Sequence, residues 1–423
     1  MRNPSGAANR PPHQEVCARR LRELFRRAGF GIDRQHVKNA RPMLILPEVA
    51  KSMPNETKPR ILTVVGARPQ FIKAAPVSRA LGQAGINEIL VHTGQHFDAM
   101  MSDVFFEELA IAKPAYNLEV NSLGHGAMTG RMLEKLEEIM QHEKPAMVLI
   151  YGDTNSTVAG ALAAAKLSIP VAHVEAGLRS YNRRMPEEIN RVVADHLSAL
   201  LFCPTATAVS NLAAEGVTAG VHAVGDVMYD TTLYAAERAQ TNSKILERLD
   251  LGPRTYAVAT IHRAENTDDE VRFRRVMGWL EDAAGSTPIV MPIHPRTQKL
   301  MTARGIAPKA VRLIEPLGYL DMTHLMRHAT IIFTDSGGIQ KEAYFHRVPC
   351  VTLRDETEWV ETIEAGWNRL WTATDYKARR EIVDYGTGTS AISIARVIAE
   401  AIVSDHNRQR AASNPTPVNN SSL

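Results

Sequence analysis

The chain has 423 residues, enough for two or three domains with sizeable cores. Apolar residues make up 44% and charged residues 22%, which excludes a largely disordered, collagen-like or coiled-coil protein. Residues 1–60 hold 13 Lys and Arg against 5 Asp and Glu, so the other 363 residues have a net charge of −5. We therefore expect no nucleic-acid partner for the body of the chain.

Cysteine spacing and hydropathy narrow the class of protein further. Cys17, Cys203 and Cys350 are far apart and form no C-x-x-C pair, so neither a disulfide framework nor a zinc site is expected. No apolar run approaches the ~18 residues of a membrane span, and the first residues lack the apolar stretch of a signal peptide. These features predict a cytoplasmic protein that does not contact the membrane.

Residues 1–59 differ from the rest of the chain. They are rich in Arg and interrupted by Pro, with one short basic helix predicted at 15–28, and we expect this N-terminal extension to be disordered. A flexible arm, a targeting-like segment, and translation assigned from an upstream Met would each account for it. We favour the last, with Met53 as the working start, because the first well-patterned strand begins only at Arg60.

From Arg60 onward, short apolar runs alternate with helical patterns. The predicted strands are 60–66, 89–93, 146–152, 171–175, 199–203, 221–225, 256–262, 288–294, 311–314, 330–334 and 349–353. Near-continuous apolar strands separated by helices indicate parallel sheets covered on both faces. Eleven strands are too many for one comfortable open sheet, so we predict an α/β fold of two Rossmann-like, doubly wound domains facing across a cleft.

The same pattern sets the expected domain boundaries. The N-terminal lobe should span 60–225 and the C-terminal, nucleotide-binding lobe 226–384, with the break near 226–253. The tail at 407–423 is polar and is predicted to be disordered.

Polar residues and glycines gather where the predicted strands end. In open parallel sheets, ligands bind beyond the carboxyl ends of the strands, so these residues should line the cleft. In the first half the strand ends are 66–69, 94–96, 152–155 and 173–177, and in the second half they are 261–263, 293–296, 334–338 and 353–355.

Two strand-to-helix corners are suited to an anion. Ser336, Gly337 and Gly338 lead from a strand into a helix, where free backbone N–H groups and the helix dipole can meet a phosphate, and Glu342 in the same helix suits a sugar diol. A Gly-rich turn with a Ser cap is the simpler alternative. The other corner carries Arg68 and Lys73, and it matches neither a Walker loop nor G-x-G-x-x-G.

Three carboxylates and a histidine are candidates for proton transfer. Asp153 could instead be a helix N-cap, Glu187 a first-turn acid and His262 a satisfied core histidine. Glu175 is harder to explain without a function, because it ends a strand that should be buried. One cleft that contains all four residues and a phosphate site explains them better than four separate structural roles.

The sequence does not favour a metal in this cleft. No D-x-D occurs, and His262 and His294 lie on separate strands without the spacing of a zinc site. A diphosphate would then be neutralised by Arg68, Lys73 and the helix beginning near Ser336. These residues predict a nucleotide-sugar site without a metal or other cofactor.

The motifs of this chain resemble those of a known family. The segments 66–73, 152–154, 173–179, 186–191, 262–263 and 334–340, together with Glu342, resemble the non-hydrolysing UDP-N-acetylglucosamine 2-epimerases of bacteria and archaea, in the family's order from Arg60 to about Ala401. The resemblance implies a glycosyltransferase-B-like fold, a UDP-sugar substrate, a homodimer and a role in supplying surface polysaccharides. It also implies that a C-terminal helix at about 385–405 returns to the first lobe.

The resemblance also implies roles for individual residues, which are transferred at the positions where the motifs match. Asp153, Glu175 and Glu187 become the acid/base carboxylates and His262 a catalytic partner. Arg68, Lys73, Ser336, Gly337, Gly338 and Glu342 become substrate-binding residues. Two departures, Gln70 where many members have Glu and Trp359 where others have Arg, are typical of a branch that includes epimerases of diacetamido-uronic acid nucleotides.

Other activities remain open at this stage. They are a related UDP-diacetamido-uronic acid 2-epimerase, a glycosyltransferase with the same lobes, a hydrolysing epimerase, and a UDP-sugar sensor without turnover whose basic arm contacts nucleic acid.

Overall fold

The computed structural model describes residues 58–95, 103–285 and 287–413, all of which belong to one compact unit. Cys17, Met53 and all but the last two residues of the predicted N-terminal extension lie outside the described residues. Within the described part the chain forms two parallel sheets with helices on both faces.

The two sheets are consecutive in the chain. The first sheet contains β1 (Arg60–Val65), β2 (Asn87–His92), β3 (Tyr116–Asn117), β4 (Met147–Tyr151), β5 (Val171–Val174), β6 (Leu200–Cys203) and β7 (Val221–Ala223). The second sheet contains β8 (Ala257–Thr260), β9 (Ile289–Pro292), β10 (Val311–Ile314), β11 (Ile332–Thr334), β12 (Cys350–Thr352) and β13 (Asn368–Leu370).

Helices connect successive strands, as parallel pairing requires. They are α1 (Arg68–Gln83), α2 (Asp103–Leu109), α3 (His125–Glu143), α4 (Asn155–Lys166), α5 (Pro186–Leu197), α6 (Ala206–Ala214), α7 (Val227–Asn242), α8 (Ile245–Leu249), α9 (Ala264–Thr267), α10 (Glu270–Ala284), α11 (Pro295–Ala303), α12 (Tyr319–Arg327), α13 (Gly337–Phe345), α14 (Val360–Glu364) and α15 (Ser390–Ser413). A short 3₁₀ helix covers Val383–Tyr385.

Both sheets have the doubly wound strand order. The first runs β3-β2-β1-β4-β5-β6-β7 and the second β10-β9-β8-β11-β12-β13, with parallel pairing throughout. Each order reverses direction once, between β1 and β4 in the first sheet and between β8 and β11 in the second. The prediction of two Rossmann-like lobes in a glycosyltransferase-B-like arrangement is confirmed.

Each lobe has its own apolar core. In the first, Leu62 and Val64 of β1 pack with Val148 and Ile150 of β4 beneath α3 and α4, all fully buried. In the second, apolar side chains of β8, β9 and α10 form the corresponding cluster. Because every central strand is covered on both faces, its sequence is a continuous apolar run rather than an alternating one.

Most predicted elements are present with small shifts at their ends. All eleven predicted strands occur, and the two that the sequence did not predict, β3 and β13, are edge strands of two and three residues. The C-terminal helix packs against α1 of the first lobe and continues to Ser413. The predicted tail at 407–423 thus overlaps the last residues assigned to this helix, and residues 414–423 lie outside the described residues.

Two general findings apply to the described ranges alone. Among them, no helix has both the length and the apolar composition needed to cross a membrane. In the same ranges, no group of three or more His, Cys, Asp or Glu side chains is arranged to hold a metal ion.

Candidate active site

Four of the candidate residues follow the strands at which the two strand orders reverse. Arg68 follows β1 and Asp153 follows β4, while His262 follows β8 and Ser336 follows β11. The reversal of an open parallel sheet leaves a crevice between the two loops, which is where such folds bind ligands.

Glu175 is the most constrained of the candidate carboxylates. It follows β5 with a φ of +70°, a left-handed conformation that is uncommon for non-glycine residues. Lys73 Nζ donates to its Oε2, and Lys341 Nζ lies 3.4 Å from its Oε1. Burial alone would raise the pKa of Glu175, but the charges of Lys73 and Lys341 outweigh it and lower the pKa to about 2.

Asp153 lies beside this ion pair. A Cβ on Gly152 would be 3.4 Å from Glu175 Oε2 and 3.5 Å from Lys73 Nζ, so the turn that carries Asp153 faces both groups. Arg191 of α5 pairs with Asp153 Oδ2. Burial raises the pKa of Asp153, although Arg191 and Lys73 oppose the shift. Two carboxylates with different proton affinities thus share one cluster.

Glu187 belongs to the helix that contacts this cluster through Asn190 and Arg191. It is exposed in the first turn of α5, and Asn190 and Arg191 lie three and four residues further on, on the same helix face. Asn190 Nδ2 donates to the Asp153 carbonyl oxygen over 3.0 Å. No hydrogen bond or ion pair of Glu187 joins it to the cluster within the described residues, so only its helix face points toward Asp153.

His262 is not a core histidine. Its side chain is 49% exposed at the end of β8, and its Nδ1 lies 3.3 Å from Asp335 Oδ1. Partial burial lowers the pKa of His262 below its ordinary value despite Asp335. The buried Asp335 also accepts from the backbone N–H groups of His262 and Arg263, and so holds the turn that presents the imidazole.

The Ser336-Gly337-Gly338 corner begins α13. Ser336 is its N-cap, with Oγ accepting from Ile339 N over 3.4 Å. A Cβ on Gly337 would lie 2.6 Å from Glu358 Oε1 and 2.9 Å from Trp359 Nε1. The close approach of these two side chains is a sufficient reason for glycine at 337, whether or not a phosphate binds there.

Glu342 lies one turn further along α13 and is 6% exposed. Tyr319 OH donates to its Oε1 over 3.0 Å. Burial raises the pKa of Glu342 to about 7, against the opposing charges of Arg68 and Lys341. The charge of Arg68, in the first lobe, therefore acts on the group in the second lobe that the sequence predicted to hold a sugar diol.

Comparison with known proteins agrees with this geometry. Residues 79–398 match the model of the UDP-N-acetylglucosamine 2-epimerase family. The chain belongs to this family. The sequence is 49% identical over 356 residues to a UDP-N-acetylglucosamine 2-epimerase homolog of Methanococcus maripaludis, covering 80% of this chain and 99% of that protein. It is 51% identical over 316 residues to the UDP-2,3-diacetamido-2,3-dideoxy-D-glucuronate 2-epimerase of Pseudomonas aeruginosa, covering 74% of this chain and 88% of that enzyme.

A solved epimerase structure has the same fold. The crystal structure of the Methanocaldococcus jannaschii UDP-GlcNAc 2-epimerase, in complex with UDP-GlcNAc and UDP, superimposes with a TM-score of 0.71 at 40% identity. The alignment covers 81% of this chain and 99% of that one. The prediction of membership in the epimerase family is confirmed.

The structure brings some predicted residues together and leaves others apart. Lys73, Asp153 and Glu175 form one cluster. Glu342 of the second lobe is buried, and the charge of Arg68 in the first lobe acts on it. His262, Ser336, Gly337 and Gly338 lie at strand ends of the second lobe, and Glu187 is exposed in the first turn of α5.

Gln70, one of the two departures from the family pattern, has a structural role. It is buried at the start of α1, and its Oε1 accepts from Gly66 N over 2.8 Å and from Ala67 N over 3.0 Å. Its Nε2 donates to Tyr151 O over 2.7 Å, which a glutamate in the same pose could not do. The amide therefore ties the ends of β1 and β4 together.

Sequence reasoning missed a buried network behind Glu175. His173 Nδ1 lies 2.7 Å from Asp195 Oδ1, and its Nε2 lies 2.7 Å from the Gly152 carbonyl oxygen. Asp195 Oδ2 accepts from Gly177 N and from Arg179. The network joins the loop after β4 to the loop after β5. The sequence did show a histidine, His173, two positions before Glu175 in a strand that should be buried. No sequence pattern identified Asp195 as its partner.

A second missed residue is Lys341, in the middle of α13. Its ammonium group is 1% exposed and contacts Asp226 as well as Glu175. Its sequence neighbours, Gln340 and Glu342, are polar, so no local pattern marked Lys341 as buried.

Proposed function

We propose that this chain interconverts UDP-N-acetylglucosamine and UDP-N-acetylmannosamine, inverting C2 by elimination and re-addition of UDP through a bound glycal. The observation that carries the proposal is the cluster of Asp153, Glu175 and Lys73 at the first sheet's reversal point, facing α13 of the other lobe. It combines groups able to move protons with a cation beside them.

The chemistry requires such a cluster. The hydrogen on C2 has no neighbouring carbonyl, so it cannot be removed to give an enolate. If the C1–O bond to UDP breaks first, C1 gains oxocarbenium character and acidifies that hydrogen. Loss of the proton then leaves a glycal and bound UDP, and return of a proton to the opposite face followed by re-addition of UDP inverts C2. No oxidation occurs, so no nicotinamide is needed.

Each part of this scheme has candidates in the cleft. Asp153, Glu175 and Glu187 are the groups for proton removal and return, with His262 as a partner from the second lobe. Arg68, Lys73 and the N-terminus of α13 at Ser336, Gly337 and Gly338 are suited to stabilise the departing diphosphate. Glu342 is suited to accept from a ribose diol.

A second substrate is favoured by one observation. The chain is 51% identical to a UDP-2,3-diacetamido-2,3-dideoxy-D-glucuronate 2-epimerase and 49% identical to the Methanococcus maripaludis UDP-N-acetylglucosamine 2-epimerase homolog. The two identities are similar. The same elimination chemistry applies to that sugar, which also carries a 2-acetamido group. We therefore retain it as the alternative substrate.

Proton NMR in deuterated water tests the proposal. With UDP-N-acetylglucosamine we expect an epimer with deuterium at C2 and no accumulation of free UDP. Release of UDP would indicate a hydrolysing epimerase, and no exchange at C2 would overturn the proposed reaction. A parallel assay with UDP-2,3-diacetamido-2,3-dideoxy-D-glucuronate decides between the two sugars by the ratio of their kcat/KM values.

The biological setting is part of the proposal. The family resemblance supports a homodimer that works in the cytoplasm and supplies an activated sugar for polysaccharides of the cell envelope. Light scattering after gel filtration measures the oligomeric state directly.

A further inference from the structure

Lys341 is an unusual residue for the interior of a short helix. It is 1% exposed, and a buried ammonium group costs several kcal/mol unless charges and hydrogen bonds compensate it. Its Nζ lies 2.6 Å from Asp226 Oδ2, 3.4 Å from Glu175 Oε1 and 3.9 Å from the centroid of the Trp359 ring. All three of its N–H groups therefore have an acceptor, two carboxylates and one aromatic face.

The two carboxylates play different parts. Asp226 is the N-cap of α7, and its Oδ1 accepts from Met228 N over 2.8 Å, which leaves Oδ2 for Lys341. Both groups are buried, and Asp226 is the nearer of the two carboxylates, so it makes the larger contribution to compensating the ammonium charge. The longer contact with Glu175 adds to that compensation.

The contact with Glu175 joins the two lobes. Glu175 follows β5 of the first sheet, whereas Lys341 belongs to α13 of the second lobe. Glu175 is held at one oxygen by Lys73 from its own lobe and at the other by Lys341 from the opposite lobe. The charge of Asp153, on the loop after β4, also interacts with Glu175.

We propose that Lys341, anchored by Asp226, is a positioning residue that holds Glu175 ionised and oriented from across the cleft. The inference rests on the proposed function, in which Glu175 moves a proton. It also explains why two lysines are present. When a diphosphate enters, Lys73 is the cation available to it, and Lys341 stays on Glu175 because Asp226 holds it in place.

The proposal predicts different pH profiles for two variants of the ion pair between Lys341 and Asp226. Asp226→Asn keeps the helix cap and leaves Glu175 as the one carboxylate, within the described ranges, that forms a direct ion pair with Lys341. The pair K341M/D226N removes both charges, so no unpaired ion is buried and the fold is expected to survive. In the double variant we expect the acidic limb of the kcat/KM profile to move up by about one pH unit or more, because Glu175 loses a cation. In D226N the acidic limb should lie at the same pH as in the wild type or at a lower pH. In K341R it should lie at the same pH as in the wild type.

A second readout does not depend on turnover. In protein labelled with carboxyl-¹³C glutamate, the Glu175 signal is assigned by its loss in E175Q. Titrated from about pH 2 to about pH 6, this signal should change from the protonated to the carboxylate form at a higher pH in K341M/D226N than in the wild type and in D226N. A double variant with unchanged acidic limb and unchanged Glu175 signal would overturn the role of Lys341. If the wild type fails to exchange hydrogen at C2, the proposed function falls, and the ¹³C titration still decides the inference.

Discussion

At the scale of single residues, Glu175 combines a strained backbone, two lysine partners and a buried carboxylate. We expect Glu175→Gln to lower turnover by at least about 10²-fold, because the amide keeps the shape but cannot transfer the proton. UDP affinity, measured by calorimetry, should stay within a few-fold. If UDP affinity and Tm fall together with the rate, Glu175 is structural.

Glu187 and its neighbour Glu188 form a matched pair. Glu188 is buried and accepts from Ser180 N over 2.9 Å and Tyr181 N over 2.8 Å, so Glu188→Gln should lower Tm. Glu187 is exposed, so Glu187→Gln should leave Tm unchanged while lowering the rate of C2 deuterium exchange. Unchanged exchange in Glu187→Gln would remove this residue from the proton-transfer set.

Gly337 and Gly338 offer a second matched pair. A Cβ at 337 meets Glu358 and Trp359 within 3.0 Å, whereas a Cβ at 338 meets nothing closer than Met228 Cε at 3.7 Å. Gly337→Ala should push those side chains over the start of α13 and weaken UDP binding roughly tenfold, with Gly338→Ala within about twofold. Equal effects of the two substitutions on the calorimetric Kd would contradict this picture.

At the scale of elements, the C-terminal helix depends on a carboxylate from α7. Asp230 Oδ2 accepts from Ser390 N over 3.2 Å and Oδ1 from Ala391 N over 2.9 Å, which caps α15. Burial raises the pKa of Asp230 to about 6. The folded state therefore binds more protons than the unfolded state between about pH 4 and pH 6, and stability falls as the pH rises through this window.

Asp230→Asn tests this element-level coupling. The amide still accepts a hydrogen bond but does not ionise, so the variant lacks the pH-dependent loss. We measure the free energy of unfolding of both proteins with urea. The difference, variant minus wild type, should increase by up to about 3 kcal/mol as the pH rises from 4 to 7. Parallel pH curves for the two proteins would show that burial of this carboxylate costs nothing.

At the scale of the whole molecule, the two lobes share a helix cap. Glu108 of α2, in the first lobe, accepts from Tyr319 N at the start of α12, in the second, over 2.9 Å. A Cβ on Gly318 would lie 2.8 Å from the other carboxylate oxygen, so the whole carboxylate sits on that helix terminus. This contact acts together with that of Lys341 and Glu175 to hold the lobes against each other.

Removing the shared cap should weaken the packing of one lobe on the other. Glu108→Ala is expected to lower the free energy of unfolding by about 1 kcal/mol and to raise KM for the UDP-sugar several-fold, while leaving the acidic limb of the pH profile in place. Its exposed neighbour is the control, and Glu107→Ala should change none of these quantities. Identical behaviour of the two variants would show that the cap does not couple the lobes.

The amino-acid sequence by itself determined the architecture and the location of the site. Apolar strand runs separated by helices indicated two parallel sheets, because only strands covered on both faces have that pattern. Polar residues after the strands, such as Asp153 and Ser336, indicated one cleft, because parallel strands all end at the same edge. The two edge strands escaped prediction because two or three residues carry too little pattern.

Only the tertiary structure decided how the side chains pair. Lys341 and Glu175 are 166 positions apart, and Glu108 and Tyr319 are 211 apart. No local pattern records such distances, since each pair forms through the packing of one lobe on the other. The burial of Asp230 and the amide network of Gln70 likewise follow from neighbours that the chain supplies from elsewhere. Residue types and strand ends are local properties, whereas ionisation and partnership depend on which surfaces the fold brings into contact.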